Sequence, residues 1–392
     1  MSLENLNCLG GPPEFQNPLP VGQLYMPSWE RYENSMRDIF CNQKYTNDGP
    51  LLQHFEKKLA AFLDVKHVIC VTNATFGLMI AAEALELSGK VLVPSFTFIA
   101  TALSLSRCGL EPVFCDISEL THHITPETLQ KAYIPGVTAV LGVHLWGSLA
   151  DVHGINQWTK RNNLKLFWDS AQAFGCKSND HRKSEYSDVE VFSFHATKII
   201  NSSEGGCIST NDSSIAKKLR NIRSSYGSGE PTLVTKKSNT QMSEFQAALG
   251  ILSLEDYSKN INHNASIRSV YSEHLSTING VSLVPLYGIS ESNQQSIVIT
   301  VDETVFGLSR DTLYRALHKE NVIARRYFYP ATHNTPEFTQ MPNPNLPNTE
   351  MLLKQTLLLP IGSRVSTGDV KKICALIKLI GAKGDEITKV LN

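Results

Sequence analysis

The sequence predicts an α/β fold in which a mostly parallel sheet forms a large domain and a smaller α+β domain follows. Its 392 residues exceed one ordinary domain and suffice for a large core plus a second lobe. Short apolar runs alternate with helical patterns over most of the chain, which implies parallel strands with right-handed crossovers. We expect an N-terminal arm at residues 1–21, a large domain at 22–260 and a small domain at 261–392.

The N-terminal half supplies most of the strand–helix units. Residues 1–21 are rich in Pro and Asn with little periodicity, which favours an arm or loop. A turn, Asn-Asp-Gly-Pro, precedes a helical stripe at 51–63. Four strands, each followed by a helix, are then predicted in order: strand 68–71 with a helix to 87, strand 90–94 with a helix to 107, strand 112–115 with helix 126–132, and strand 137–143 with helix 151–161.

Three further apolar runs complete the expected sheet, and the pattern then changes. The runs lie at 164–168, 189–194 and 207–210, the last followed by a helix at 215–223. Helical patterns at 243–275 lead into the small domain. The elements expected there are a strand at 296–301, a helix at 310–320, a strand-like stretch at 322–327, a loop at 330–348 and a final helix at 369–380.

Composition excludes several classes of function. A net charge of −1 without a basic run gives nucleic-acid binding no electrostatic support. We expect a cytoplasmic protein without membrane contact, because the sequence shows neither a signal peptide nor an apolar run of membrane-spanning length. The eight cysteines are scattered without a Cys-x-x-Cys pair, so we expect free thiols and no metal site. No GxGxxG follows a strand, so a Rossmann dinucleotide site lacks its fingerprint.

The segment around Lys198 carries the strongest chemical signal. A predicted apolar strand contains Ser193 and is followed closely by His195 and Lys198. A small polar loop comes next. A lysine just past a buried strand can become a nucleophile, because desolvation lowers its pKa and frees the amine. The alternative is a solvated surface lysine.

Asp169 ends another predicted strand, at the sheet edge where open α/β folds bind ligands. Considered alone, Asp169 would be interpreted as a helix N-cap. Beside a lysine on another strand end, it suits the carboxylate that keeps a pyridinium nitrogen protonated. That pairing indicates pyridoxal 5'-phosphate (PLP), with Lys198 as its covalent anchor.

The turn Thr72-Asn73-Ala74-Thr75 opens a predicted helix directly after a strand. Small residues with hydroxyl groups at a helix start favour an anion, because exposed N–H groups and the helix dipole both attract negative charge. An ordinary Asn or Thr N-cap is the alternative interpretation.

Taken together, these segments resemble the DegT/DnrJ/EryC/StrS family of sugar aminotransferases, which are PLP enzymes of fold type I. The resemblance extends from about Gly22 to the C-terminus. Its motifs are Ser-Phe-His-Ala-Thr-Lys at 193–198, Glu-Gly-Gly at 204–206, Asn-Asp-Gly-Pro at 47–50, Val-Pro-Ser-Phe-Thr-Phe at 93–98, His-Leu-Trp-Gly at 144–147 and Asn-Thr-Gln-Met-Ser-Glu at 239–244.

The resemblance implies an aspartate-aminotransferase-like three-layer domain and a set of residues around the cofactor. Lys198 would anchor PLP and move the proton during transfer, with His195 as a lower-ranked catalytic residue. The implied cofactor contacts are Asp169 at the ring nitrogen, Gln172 at the ring hydroxyl, Phe98 stacked on the ring, and Ser193, Asn73, Ala74 and Thr75 at the phosphate. Asn73 and Ala74 depart from the Ser and Gly that are usual in the family.

Further implied contacts lie at the end of a long polar loop and in the small domain. Asn239 matches a family asparagine that reaches across a homodimer to the partner's cofactor phosphate. Gln241 stands where the family usually has Arg, which removes one charge at the phosphate or substrate. His333 and Tyr327 are expected near the substrate.

The implied activity is amino transfer from glutamate to a nucleotide-linked keto-6-deoxy sugar, within deoxyamino sugar biosynthesis. A run from Arg325 to Pro330 resembles members acting on dTDP-linked sugars, which favours dTDP-4-keto-6-deoxyglucose over a 3-keto sugar. Two other functions stay open. A PLP- or PMP-dependent sugar dehydratase is one, although Lys198 argues against it. A non-catalytic PLP-binding regulatory protein is the other, because a fold does not determine function.

Overall fold

The computed structural model describes residues 6–178, 187–227, 230–342 and 344–391, and it confirms the α/β fold. The elements that precede the C-terminal lobe, in chain order, are β1 (Leu19–Pro20), α1 (Trp29–Asn42), α2 (Pro50–Leu63), β2 (His67–Val71), α3 (Ala74–Ala84), β3 (Lys90–Pro94), α4 (Ile99–Arg107), β4 (Glu111–Cys115), α5 (Pro126–Ala132), β5 (Val137–Val143), α6 (Val152–Arg161), β6 (Lys165–Asp169), β7 (Val189–Ser193), β8 (Gly206–Thr210), α7 (Ser213–Arg223) and α8 (Glu244–Glu255).

The C-terminal lobe begins with α9, which only Asp256 separates from α8. Its elements are α9 (Tyr257–Leu275), β9 (Val281–Leu283), β10 (Ile297–Val301), α10 (Glu303–Phe306), α11 (Arg310–Lys319), β11 (Val322–Ile323), α12 (Pro347–Gln355), β12 (Thr356–Leu359), α13 (Thr367–Ala382) and α14 (Gly384–Leu391).

The central sheet has the strand order β2-β8-β7-β6-β5-β3-β4. Four neighbouring pairs are parallel, and β8 alone runs antiparallel to both of its neighbours, β2 and β7. The C-terminal ends of β2, β5, β6 and β7 therefore meet the beginning of β8 along one edge. That edge is where an open α/β sheet presents its ligand site.

Helices cover both faces of this sheet, because the strands are apolar on both sides. Val93 and Leu141 pack with Leu105 of α4 and Leu219 of α7 on one face. The alternate residues of the strands, with helices α5 and α6, form a second core on the opposite face. Strands apolar on both faces are typical of a parallel sheet covered by helices, as the predicted alternation requires.

The C-terminal lobe is built on an antiparallel sheet of order β12-β10-β9, with α9, α11 and α13 packed against it. The N-terminal segment predicted as an arm lies against this lobe. Leu6 and Phe15 are buried in the lobe's core, and β1 pairs in parallel with β11. The predicted domain boundaries stay a prediction, since α9 runs across position 260.

Several elements differ from the sequence prediction. Helices α1, α10, α12 and α14 and strands β1, β9 and β12 were not expected. The predicted final helix at 369–380 is observed as Thr367–Ala382, but α14 follows it. The strand-like stretch at 322–327 contains only two strand residues.

Among the described residues, no helix is both long and apolar enough to span a membrane.

Candidate active site

The loop that joins β7 to β8 carries Lys198. The loop is closed by its own backbone, since the N–H of Phe194 donates to the carbonyl of Gly205 at 2.8 Å. It is also held from outside, because the N–H of Gln23 donates to the carbonyl of Thr197 at 3.0 Å. Lys198 is thus placed on a fixed loop at the ligand edge of the sheet.

Asp169 faces this lysine from the end of β6, the strand next to β7. Burial lowers the pKa of Lys198 to about 8, and the negative charge of Asp169 partly opposes that shift. Burial also raises the pKa of Asp169. The hydrogen bonds from the hydroxyl of Thr101 and the N–H of Ala171, together with the charge of Lys198, act to lower it. The pair therefore combines an amine that is readily freed of its proton with a carboxylate whose charge is supported by its neighbours.

The two oxygens of Asp169 have different partners. The hydroxyl of Thr101 donates to Oδ2 at 2.8 Å, and the N–H of Ala171 donates to Oδ1 at 3.1 Å. The carboxylate caps no helix, since the residues that follow it form a turn. The alternative interpretation of Asp169 as a helix N-cap is therefore wrong.

A second part of the site lies where β7, β8 and β2 come together. The strand register places Gly206 of β8 beside Ser193 of β7 and beside Val71 of β2. A Cβ at Gly206 would lie 2.9 Å from the nitrogen of Ala74 and 2.6 Å from the carbonyl oxygen of Phe192. The start of α3 can thus approach the strand end only because this residue is glycine.

The start of α3 presents N–H groups towards the same place. The first N–H groups of a helix have no acceptor within it, and here the Oδ1 of Asn73 takes the N–H of Phe76 at 3.0 Å. The N-cap hydrogen bond of the alternative interpretation is thus present at Asn73. The N–H groups of Ala74 and Thr75 are at the helix start, and Ala74 lies against Gly206, which pairs with Ser193. A helix start beside a serine is the arrangement that an anion cradle requires.

Gln172 connects the site to an aromatic stack. Its Oε1 accepts the N–H of Trp146 at 3.0 Å, and the indole of Trp146 stacks on Phe328 with ring centroids 5.4 Å apart. Phe328 in turn stacks on Tyr327 at 5.2 Å. The structure therefore links Gln172, predicted at the cofactor ring, to Tyr327, predicted at the substrate.

Two other predicted residues lie at the surface of a single chain. Phe98, at the start of α4, exposes 59% of its side chain, which leaves its ring face open for stacking. His195 is also exposed, and its two ring nitrogens face the hydroxyl of Thr197 at 2.9 Å and the carboxylate of Glu204 at 3.6 Å. These contacts suit a residue that supports the lysine loop.

Asn239 and Gln241 flank Thr240, which ties their segment to the start of the cradle. The N–H of Thr72 donates to the carbonyl of Thr240 at 2.9 Å. Gln241 donates from Nε2 to the side chains of Asn47, at 3.3 Å, and Ser224, at 3.1 Å. Asn239 is exposed. Ser228 and Gly229, in the polar loop that leads to Asn239, lie outside the described residues.

His333 is buried, although a lone histidine in a loop is more often exposed. Its Nδ1 lies 2.6 Å from the hydroxyl of Ser95, and its Nε2 lies 3.0 Å from Oε1 of Glu350. Burial lowers the pKa of His333, and Glu350 partly opposes this. His333 thus ties the loop after β11 to the end of β3, beside the turn that leads to Phe98.

Thr101 and Trp146 were not predicted as site residues. Thr101 follows Thr97 by four residues at the start of a helix, a spacing that puts both hydroxyls on one side. Trp146 lies in the His-Leu-Trp-Gly motif, which was noted without a role. Both residues act through contacts that only the fold brings about.

These parts fit the groups of PLP. The cradle that a Cβ at Gly206 would fill suits a phosphate, the amine of Lys198 suits an aldehyde, and the buried carboxylate of Asp169 suits a protonated ring nitrogen. The assignment of individual residues to the cofactor stays a prediction.

Comparison with known proteins points the same way. The profile of the DegT/DnrJ/EryC1/StrS aminotransferase family matches residues 29–378. The chain is 34% identical over 369 residues to a dTDP-4-amino-4,6-dideoxy-D-glucose transaminase from Shigella dysenteriae, covering 93% of this chain and 100% of that protein. A protein of the same name from Escherichia coli is 30% identical over 365 residues, with 92% and 98% covered.

A solved structure is similar over nearly the whole fold. The structure of DesI in the presence of its TDP-sugar product superposes with a TM-score of 0.94 at 34% identity, and 99% of each chain is covered.

Proposed function

The chain belongs to the DegT/DnrJ/EryC1/StrS aminotransferase family, and we propose that it uses PLP to move the amino group of glutamate to the keto carbon of dTDP-4-keto-6-deoxyglucose. The membership confirms the resemblance predicted from the motifs. The observation that carries the proposal is the pair formed by Lys198, whose pKa is lowered to about 8, and the buried Asp169.

Lys198 and Asp169 have different roles in the proposed reaction. When bound, PLP supplies an electron-withdrawing ring that stabilises negative charge on the carbon next to the transferred nitrogen. Lys198 would hold the cofactor through its amine, and the same amine, when free, would take and return a proton at the Cα of the donor. A base with a pKa of about 8 suits this task, because it can take and return a proton near neutral pH. Asp169 keeps the proton on the ring nitrogen.

The cradle holds the phosphate by hydrogen bonds and the helix dipole. Ser193 and Thr75 supply hydroxyls, and the N–H groups of Ala74 and Thr75 supply further donors at the start of α3. Asn73 keeps its side-chain oxygen on the N–H of Phe76, so its amide nitrogen is the group left for the phosphate.

Gln172 and Phe98 orient the ring between them. The Oε1 of Gln172 is engaged by the N–H of Trp146, so its Nε2 is free to donate to the ring hydroxyl. Phe98 offers an exposed ring face for stacking on the pyridine.

The choice of substrate rests on the relatives. Two of them are named for dTDP-4-amino-4,6-dideoxy-D-glucose, which is the amine expected when the 4-keto group of dTDP-4-keto-6-deoxyglucose is replaced. DesI was solved with a TDP-sugar product. On the substrate side of the site we place Tyr327 and His333, together with Gln241 in the position where the family usually has Arg.

The functional unit we propose is a homodimer with shared sites. Large apolar side chains near the cradle and the polar loop are exposed in a single chain, among them Phe76 at 41%, Tyr226 at 94% and Leu233 at 87%. A second copy would cover them, and Asn239 would then reach the phosphate of its partner's site, as the twofold symmetry of a homodimer permits in both directions.

A panel of nucleotide keto sugars tests the proposal. Purified protein loaded with PLP would be given glutamate and, in turn, dTDP-4-keto-6-deoxyglucose, its 3-keto isomer and the GDP-linked 4-keto sugar. The expected result is release of 2-oxoglutarate with the dTDP-linked 4-keto sugar in preference to the others. Loss of a sugar hydroxyl without consumption of glutamate would instead identify a dehydratase, and no turnover with any sugar would overturn the assignment.

A further inference from the structure

Two buried threonines, Thr101 and Thr97, are linked to Asp169 by successive hydrogen bonds. The hydroxyl of Thr101 contacts Oδ2 of Asp169 at 2.8 Å, and the hydroxyl of Thr97 contacts that of Thr101 at 2.9 Å. Thr101 is 0% exposed and Thr97 is 1% exposed. The three side chains form a row of hydrogen bonds that begins at the turn preceding α4 and ends at the carboxylate.

The direction of this row follows from the number of protons available. An ionised carboxylate can only accept, so the one hydroxyl proton of Thr101 must go to Asp169. Thr101 then has only lone pairs to offer Thr97, and the proton in the second contact must come from Thr97. Both hydroxyl dipoles therefore point towards Asp169, and each strengthens the other.

The row is fixed at its outer end by the small lobe. The hydroxyl of Thr332 donates to the carbonyl of Thr97 at 3.0 Å. At its inner end, the second oxygen of Asp169 is fixed by the N–H of Ala171 at 3.1 Å. The carboxylate is thus held by one donor on each oxygen, and its orientation is set.

We propose that Thr101, supported by Thr97, is a positioning residue that keeps Asp169 ionised and oriented towards the ring nitrogen of the bound cofactor. The inference rests on the proposed function, since it assigns Asp169 to that nitrogen. Thr101 itself touches neither cofactor nor substrate in this arrangement. A purely structural threonine at the start of a helix would place its hydroxyl on a nearby backbone group, as Ser104 does with the carbonyl of Thr101 at 2.7 Å.

Valine and serine substitutions separate these two roles. Thr101→Val keeps the shape of the side chain but removes the proton that Asp169 accepts, whereas Thr101→Ser keeps that proton. Ser104→Ala is the matched control, because it removes a buried hydroxyl from the same helix without removing a donor to Asp169. The readout is the affinity of the apoprotein for PLP, followed by quenching of tryptophan fluorescence, since Trp168 precedes Asp169 directly in β6.

Thr101→Val should weaken PLP binding about tenfold or more, because a hydrogen bond to a charged group is lost. Thr101→Ser and Ser104→Ala should each stay within about threefold of wild type. A second readout is the visible absorbance of the bound cofactor as pH is raised. Thr101→Val should lower the fraction of bound cofactor whose ring nitrogen is protonated, because a carboxylate without its donor is a stronger base and competes for that proton, and Thr101→Ser should restore the wild-type curve.

Unchanged affinity and an unchanged absorbance curve in Thr101→Val would overturn the inference, as would equal losses in Thr101→Val and Ser104→Ala. If Thr101→Val does not fold, Thr97→Val decides the question. It removes the outer donor only, so weakening of about two- to fivefold supports the row and wild-type affinity contradicts it. A wild-type apoprotein that fails to bind PLP would contradict the proposed function itself, before the threonines are tested.

Discussion

Lys198 and Asp169 each change the proton affinity of the other, which makes the lysine's reactivity depend on pH in a defined way. Only the neutral amine attacks an aldehyde. Because burial lowers the pKa of Lys198 from 10.5 to about 8, the neutral fraction grows as pH rises through about 8, well below the range of an ordinary lysine. The rate at which the apoprotein captures PLP should therefore rise with pH and level off above that value.

Borohydride trapping followed by peptide mapping measures this capture at each pH. Lys198→Ala is the control and should lose the trapped product while remaining folded. A midpoint close to 10.5, the value of an ordinary lysine, would contradict the buried setting of Lys198. Trapping at the wild-type level in Lys198→Ala would place the anchor elsewhere.

The role of Asp169 is tested by Asp169→Asn, which nearly preserves shape and removes the charge. Transamination should fall by about 100-fold or more, equivalent to about 2.7 kcal/mol, since a neutral amide cannot hold the ring nitrogen protonated. The same variant should move the midpoint of PLP capture below pH 8, because the charge that opposes the lowered pKa of Lys198 is gone. Steady-state kinetics and trapping measure the two effects, and near-normal turnover would remove Asp169 from the reaction.

The sequence was informative about residues whose chemistry is local. Lys198 and Asp169 were predicted because each follows an apolar strand, and strand ends meet at one edge of a parallel sheet. Thr101 was not predicted, because a hydroxyl in a helix has many ordinary uses and its partner lies 68 positions away in the chain. The burial of His333 could not be predicted from the sequence either, since its partners Ser95 and Glu350 come from distant segments.

At the scale of elements, the antiparallel strand β8 creates the cradle by placing Gly206 between two parallel strand ends. Gly206→Ala should push the start of α3 away from β7, because the added Cβ would lie 2.6 Å from the carbonyl oxygen of Phe192. We expect PLP affinity to fall about tenfold and the free energy of unfolding to fall by about 1–3 kcal/mol.

Gly368→Ala is the matched control for Gly206→Ala. Gly368 lies at the start of α13, and the nearest atom to an added Cβ is Oγ of Ser366 at an ordinary 3.5 Å. That variant should bind PLP as wild type does. Cofactor titration and chemical denaturation measure both quantities. Equal behaviour of the two variants would show that the cradle tolerates a side chain at Gly206.

The elements that were missed have separate physical causes. α12 and β12 are adjacent in the chain, and their apolar residues at 351–353 and 357–359 form runs too short for periodicity to distinguish helix from strand. α1 buries only Ile39, while its Trp29 and Phe40 are exposed, so it shows no apolar stripe facing this chain's core. The antiparallel direction of β8 was not predicted either, because the sequence pattern of a strand is the same in either direction.

For the whole molecule, the proposed homodimer would cover the exposed aromatic side chains near the cradle and would place the exposed Asn239 at its partner's site. A complementation experiment tests the shared site. Lys198→Ala and Asn239→Ala should each be impaired, the first in the chemistry and the second in PLP affinity by about 1.5–3 kcal/mol. A heterodimer of the two should contain one intact site, made of Lys198 from one chain and Asn239 from the other.

Co-expression with two different affinity tags yields the purified heterodimer, and each mutant homodimer is the control. Activity should recover towards half of the wild-type value. Heterodimers no more active than their parents, or an active protein that sediments as a monomer, would show that each chain builds its site alone.

The central claim, that this chain transfers nitrogen from glutamate to a dTDP-linked 4-keto sugar at Lys198, is tested most directly by following the nitrogen atom. Glutamate labelled with heavy nitrogen would be incubated with dTDP-4-keto-6-deoxyglucose and the PLP-loaded protein, and the sugar nucleotide would be analysed by mass spectrometry. We expect a dTDP-linked amino sugar that carries the label with wild-type protein and none with Lys198→Ala. An unlabelled sugar with wild-type protein, or equal labelling with Lys198→Ala, would contradict it.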